Sequence, residues 1–317
     1  MRLKNKKILL IGGAGFIGLH LAKKLVELEQ EVVIFSKDSS KIKKLGFAKN
    51  IKFIEGNICN YKSVESAVGG KDIVINLASV VNHGPIFNPY DDLDINCKGQ
   101  INVLEARRKI NKNSKYIFFG TRAQFGIVKD PKQPVKEDYC KKPISLYGIN
   151  KQAAEGYCEL YRRAFGLKSV IIRLSQVYGP SLSGEQTYSV LDKFIKMALK
   201  NETFYVNGYG KDIKDLVYID DLIDLIIKII NSGHEDGIFN AGSGIKVTLK
   251  EVAEKIISMC KSGKFKLVPF PNEISDFELG SFYFEISKAK KTFGWKPKTN
   301  LDDGLKKAIE FHRRVED

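Results

Sequence analysis

Cysteine, proline, histidine and tryptophan are all scarce in this chain of 317 residues, which holds five, nine, four and one of them. The cysteines are odd in number, and none of Cys59, Cys97, Cys140, Cys158 and Cys260 lies two residues from another. That excludes a fully paired disulfide framework and the common zinc and redox spacings, so no metal is expected and the thiols read as reduced, in a cytoplasmic protein. No apolar run reaches the roughly 18 residues that cross a bilayer. The most apolar N-terminal stretch, residues 8–11, is broken at once by Gly12, so an export signal is not expected. With 43% apolar and 28% charged residues and 27 glycines, the composition is neither disordered nor collagenous, and the chain is long enough to bury a substantial core.

Acidic residues are the other shortage: 37 Asp and Glu against 52 Lys and Arg leave a formal charge of +15. Such a surplus suits a nucleic acid, a membrane surface or an anionic small molecule. Here it is scattered along the chain, without a zinc-finger spacing or an aromatic–basic RNA signature. It reads chiefly as a solvated surface, with no nucleic acid and no membrane as partner.

What is present is an alternation of short β-branched runs and longer amphipathic stretches. The runs at residues 7–11, 32–35, 51–54, 73–77, 116–119 and 170–173 read as strands buried on both faces. Helical patterns cover 17–28, 61–68, 96–110 and 149–165, then 189–199, 220–230, 249–260 and 302–314. The expected fold class is α/β, a doubly wound parallel sheet with a smaller C-terminal substrate-binding lobe. The division falls near residue 180, giving 1–180 and 181–317, with some later segments returning to the first domain.

Directly after the first run stand Gly12, Gly13, Ala14, Gly15, Phe16, Ile17 and Gly18. A strand, this glycine spacing and a helix in succession form the Rossmann dinucleotide fingerprint, in which glycines permit the tight turn, the approach of pyrophosphate and the helix–strand contact. The helix N-terminus then offers unpaired N–H groups to phosphate. At the end of the second strand, Ser36 and Lys37 occupy the region where an acidic residue would read the ribose of NAD. A hydroxyl and a cation suit a 2′-phosphate better, which favours NADP(H) over NAD(H). Asp38 either reaches the ribose or caps the following helix, the cap being preferred.

Tyr147 and Lys151 are four residues apart and share a helix face. A nearby cation is expected to lower the phenol pKa, so that the tyrosine serves as general acid or base during hydride transfer at a carbinol or ketone carbon.

With these motifs the sequence resembles the extended short-chain dehydrogenase/reductase family of nucleotide-sugar epimerases, dehydratases and reductases. The resemblance runs from Lys7 almost to the C-terminus. It is carried by the glycine fingerprint, Asn76 to Ser79, Asn96 to Ala106, Tyr147 with Lys151, Arg173 with Val177 to Pro180, Lys214 to Asp221, Phe239 to Gly244, and Gly294 to Pro297. It implies that Gly12, Gly15, Phe16, Ile17, Gly18, Asn57, Ile58, Leu77, Ala78 and Ser79 bind the cofactor. It also implies that Thr121 holds the reacting sugar oxygen and that Asn96 supports the active-site helix and its lysine. Tyr178 lies either beside the nicotinamide or packed at its strand end. Gln176 and Lys214 fall at substrate-binding positions.

The departures are informative. Where the dehydratases follow the threonine with Asp-Glu, this chain has Arg122-Ala123, which argues against a 4,6-dehydratase. The adenine-binding Asp is Asn57. The first pyrophosphate arginine is Lys214, which lacks a bidentate fork, and residues 271–274 offer no cation for the second, so the usual diphosphate pose is not implied. Glu185, Gln186 and Tyr188 are either sugar contacts or surface residues.

The favoured function is a keto-sugar reductase acting at C4 of a nucleotide-linked hexose. The alternative is a nucleotide-sugar 4-epimerase that retains NAD, and a minor one is a non-catalytic cofactor-binding protein. By resemblance, helices 96–110 and 149–165 form a homodimer interface, although their apolar positions equally suit packing on their own sheet.

Overall fold

The computed structural model describes residues 5–43, 45–81, 88–183 and 189–316. The apolar runs become strands; residues 8–11 and 73–76, for example, are buried throughout, as a sheet covered on both faces requires. The first half contains β1 (Lys7–Ile11), α1 (Phe16–Glu27), β2 (Glu31–Ser36), α2 (Ser40–Lys43), β3 (Ile51–Glu55), α3 (Tyr61–Val68), β4 (Ile73–Asn76), α4 (Pro89–Leu93), α5 (Gly99–Ile110), β5 (Lys115–Thr121), α6 (Leu146–Phe165) and β6 (Val170–Leu174). The second contains β7 (Gln176–Tyr178), α7 (Val190–Leu199), β8 (Thr203–Val206), β9 (Ile213–Lys214), β10 (Leu216–Tyr218), α8 (Ile219–Asn231), β11 (Gly237–Ala241), β12 (Val247–Thr248), α9 (Leu249–Cys260), β13 (Lys264–Leu267), α10 (Asn272–Ser275), α11 (Ser287–Phe293) and α12 (Leu301–Glu316).

Among the described residues the main sheet has seven parallel strands in the order β3-β2-β1-β4-β5-β6-β11. The strand order reverses between β1 and β4, and ligands of open α/β sheets sit outside the carboxyl ends at such a switch point. The seventh strand comes from the second half: β11 pairs with β6 from Gly237↔Val170 to Ala241↔Leu174. The remainder of that half forms short two-stranded pairs, β7 with β10, β8 with β13 and β9 with β12, packed with α7 and α9.

Local chemistry sets the helix ends. Ser145 caps α6 by accepting from Gly148 N at 3.1 Å, and Gly166 ends it in the left-handed region at φ +67°. The helix expected from residue 96 begins earlier. Asn88 caps α4, Pro89 occupies its first position, and one π-helical turn, Asp94–Lys98, joins α4 to α5. Pro89 starts a helix here, and the π turn shifts the apolar period, so pattern alone did not join the two.

Two buried acids fasten the second half. Asp221 in α8 accepts from Lys298 N and Thr299 N at 2.9 and 3.0 Å, while its carbonyl receives the indole N–H of Trp295, the single tryptophan, which has no exposed surface. Asp215 accepts from Ser243 N and Oγ and from Phe284 N, fixing the backbone beside Lys214. Its carboxyl is raised above the usual range because burial outweighs those hydrogen bonds.

Candidate active site

The glycine loop divides its work among several residues. Gly12 has φ +72°, and a Cβ there would lie 2.6 Å from Ala78 N, so the turn passes hard against the end of β4. A Cβ on Gly18 would meet Gly13 O at 2.4 Å, which is the close packing of α1 on the loop. Gly15 differs: a Cβ would find nothing nearer than Gly12 O at 3.4 Å, and its free face lines a cavity of about 570 Å³. Gly15 caps α1 with no side-chain oxygen, leaving the first N–H groups of the helix for an anion. These features fit a dinucleotide pyrophosphate.

The other cofactor candidates follow the carboxyl ends of neighbouring strands: Ser36 and Lys37 at β2, Asn57 and Ile58 after β3, and Leu77, Ala78 and Ser79 after β4. Asp38 is engaged locally ahead of α2, its Oδ1 accepting from Ser40 N at 2.8 Å and its Oδ2 from Ser40 Oγ. Asn57 turns its side-chain oxygen to Cys59 N at 3.0 Å, and Ile58 is buried, packed under Gly99. Phe16 lines the cavity, whereas Ile17 packs against the core. Of the two readings of Tyr178, the packed one matches its surroundings: it is buried, its ring meets Tyr218 edge-on at 5.4 Å, and its hydroxyl lies against Gly304 of α12, where a Cβ would strike it.

Tyr147 and Thr121 meet at the cavity floor. Ser79 and Thr121 lie near enough to the phenol to act on its ionisation. Burial raises its phenol pKa, and those two contacts only oppose the rise, so the lowered value expected from Lys151 does not hold in this protein. Lys151 is buried, its ammonium lies 4.3 Å from the centre of the Phe118 ring, and desolvation brings it down to about 8, with Asp92 among the charges that oppose this.

Asp92 was not found from the sequence. It has no exposed surface and its Oδ1 accepts from Asn96 Nδ2 at 2.7 Å and Asn150 Nδ2 at 2.9 Å. Asn96 also accepts from Ser79 Oγ at 2.9 Å and donates to Val80 O. The support that Asn96 gives the active-site helix therefore runs through Asp92 to Asn150, the neighbour of Lys151. A second network fixes the same helix from below. Glu155 receives Arg173 through Nε at 3.0 Å and Nη2 at 2.5 Å, Lys141 at 2.6 Å and Gln124 at 3.0 Å; Gln124 in turn accepts from Thr121 N. Burial works to raise the Glu155 carboxyl, yet Arg173 and Lys141 hold it at about 2. The long-range partners, from Lys141 and Glu155 at 14 residues apart to Asp92 and Asn150 at 58, leave no local pattern to read.

The opposite wall comes from the second half. Gln176, Lys214, Tyr205, Phe270 and Glu278 line the same cavity as Gly15, Thr121 and Tyr147. Lys214 is buried and paired with Glu278 at 3.0 Å and Asp212 at 3.8 Å; burial and the nearby Arg122 push its ammonium pKa down. Glu185, Gln186 and Tyr188 lie outside the described residues. No group of three or more metal-ligating side chains occurs among the described residues, and no helix there is long and apolar enough to cross a membrane.

The family model described as NAD dependent epimerase/dehydratase family matches residues 8–242. The putative UDP-glucose 4-epimerase of Methanocaldococcus jannaschii is 31% identical over 312 residues, spanning 96% of this chain and 97% of that protein. The UDP-N-acetyl-alpha-D-glucosaminuronate decarboxylase of Bacillus cytotoxicus is 29% identical over 327 residues, spanning 98% and 99%. Among solved structures, the UDP-glucose 4-epimerase of Thermotoga maritima, crystallised with UDP-glucose, superposes with a TM-score of 0.85 at 29% identity, over 98% of this chain and 99% of that one. Together with a glycine loop that opens onto the tyrosine and threonine, these matches place the chain in the NAD dependent epimerase/dehydratase family, within the extended short-chain dehydrogenase/reductases.

Proposed function

We propose that the protein is a nucleotide-sugar 4-epimerase that retains NAD. The observation that carries the reading is the single cavity bounded by Gly15, Thr121, Tyr147 and Lys214, which gives cofactor and sugar one shared space with one acid–base group at its floor. Bound there, a nicotinamide dinucleotide supplies a place for hydride to leave a carbinol carbon and return to it. Tyr147 takes the proton of the sugar hydroxyl and gives it back, while Thr121, in contact with the phenol, positions the same oxygen. Lys151, one helical turn along α6, is proposed to ease loss of the phenol proton once the dinucleotide is bound, because burial of Tyr147 outweighs every other influence in the structure alone. Arg122 and Ala123 leave no further acid–base pair next to Thr121 for expelling water, which favours epimerisation over elimination.

The relatives named as UDP-glucose 4-epimerases support this over the reductase favoured by the sequence. NAD accords with the family's description; Ser36 and Lys37 are where NADP(H) would be held instead. The sugar nucleotide is proposed as the substrate of the shared cavity. A homodimer through α5 and α6 accords with apolar side chains exposed there, among them Ile101, Ile149 and Leu160.

The test is to incubate the purified protein, without added cofactor, with neutral and acidic UDP-hexoses and to follow C4 inversion by NMR, alongside mass spectrometry of the released dinucleotide. Interconversion with retained NAD is expected. Oxidation of added NADPH by a keto-sugar, with no interconversion, would restore the reductase.

A further inference from the structure

We infer that Arg122 is a specificity-determining residue that binds a carboxylate carried by the sugar next to the reacting carbon, which makes the substrate class a nucleotide-linked hexuronic acid. This rests on the epimerase reading and narrows it. Arg122 directly follows Thr121 and lines the cavity with it. Its backbone is fixed by a reciprocal cap, Ala123 N donating to Thr121 Oγ1 at 3.2 Å and Thr121 N to Gln124 Oε1 at 3.0 Å. The turn ends at Gly126, φ +63°, where a Cβ would strike Lys142 O. The guanidinium lies 5.2 Å from the centre of the Phe282 ring, within cation–π range.

That fork has no hydrogen bond and no ion pair among the described residues, although it is only partly exposed and stands in a cavity. None of its nitrogens is among the fully buried unpartnered atoms, so its five donors stay open to an acceptor that enters the cavity. The cavity's other nearby cation, Lys214, is already paired with Glu278 and approached by Asp212. Three carboxylates, Glu278, Asp212 and Asp215, lie close enough to act on Arg122, so a doubly charged diphosphate would meet more repulsion there than a monoanion would. A planar monoanion fits the free fork instead. With Tyr147 and Thr121 holding the C4 oxygen, the neighbouring ring substituent that can carry such a charge is an oxidised C6.

Calorimetry on the full-length protein with its retained cofactor, using UDP-glucuronic acid, UDP-glucose and UDP as probes, tests this. UDP-glucuronic acid should bind on the order of tenfold to a hundredfold more tightly than UDP-glucose, the range of a charge-assisted pair. In Arg122→Met, which keeps an apolar stem over Phe282, that ratio should collapse to about one. Arg122→Lys, which keeps the charge without the fork, should retain only part of it. Equal affinities in the parent protein overturn the inference. So does an Arg122→Met variant that loses affinity for UDP as strongly as for UDP-glucuronic acid, because the guanidinium then reads the diphosphate. If Arg122→Met fails to fold, as judged by circular dichroism, an unchanged ratio in Arg122→Lys is the overturning result. UDP-glucose that binds and epimerises with no uronate preference defeats this inference alone, whereas failure to bind any UDP-sugar defeats the epimerase reading as well.

Discussion

At the scale of single residues, the behaviour of Tyr147 depends on a balance between burial and charge. Burial holds the phenol in its protonated form, and in the proposed mechanism the charge of Lys151 works against this once the cofactor is bound. Tyr147→Phe should lower the epimerisation rate by about 10²- to 10⁴-fold while leaving the melting temperature close to that of the parent, which steady-state kinetics and a thermal melt will show. Lys151 sits at about 8, so it is charged below that pH and loses its charge as pH rises through it. The rate should therefore decline above about pH 8. In Lys151→Arg, whose side chain does not titrate in this range, that alkaline limb should vanish from the pH–rate profile. Tyr147 and Lys151 were legible in the sequence because their four-residue spacing is local. Asp92 was not, because its role depends on Asn96 and Asn150 approaching it from two different helices.

Helices and loops set the positions on which those residues depend. Adding a methyl at Gly18 would place a carbon 2.4 Å from Gly13 O, so Gly18→Ala has to push α1 away from the loop. A loss of about 1–3 kcal/mol is expected, together with less retained dinucleotide, measurable by chemical denaturation and by absorbance of the released cofactor. The glycine spacing announced this contact in advance, whereas the facing of Tyr178 was set by α12, more than a hundred residues away, and no local pattern recorded it. Glu155 is the pin between α6 and β6. Its folded-state value of about 2, against an ordinary 4.5, means that its stabilising contribution is complete above 4.5 and is lost as pH falls toward 2. Glu155→Gln leaves Arg173 buried without its countercharge and should cost about 3–5 kcal/mol at neutral pH. Urea unfolding at several pH values between 4.5 and 2 should show a weaker acid dependence in the variant than in the parent.

For the molecule as a whole, the outward faces of α4 to α6 carry Tyr90, Leu93, Ile101, Ile149, Leu160 and Phe165, all exposed. In a chain of charge +15, an apolar face of this extent is a natural place for a second copy to bind. The parent should sediment as a dimer, and the double variant Ile101→Asp with Leu160→Asp as a folded monomer; a parent that is monomeric at micromolar concentration removes the interface. Trp295 offers a separate readout of the whole chain. As the single tryptophan, it is fully enclosed and bonded to α8 from a segment that follows α11. Its fluorescence therefore reports the packing of its segment on α8. It should stay blue-shifted and nearly constant while nucleotides fill the cavity, and shift to the red only when that packing is lost.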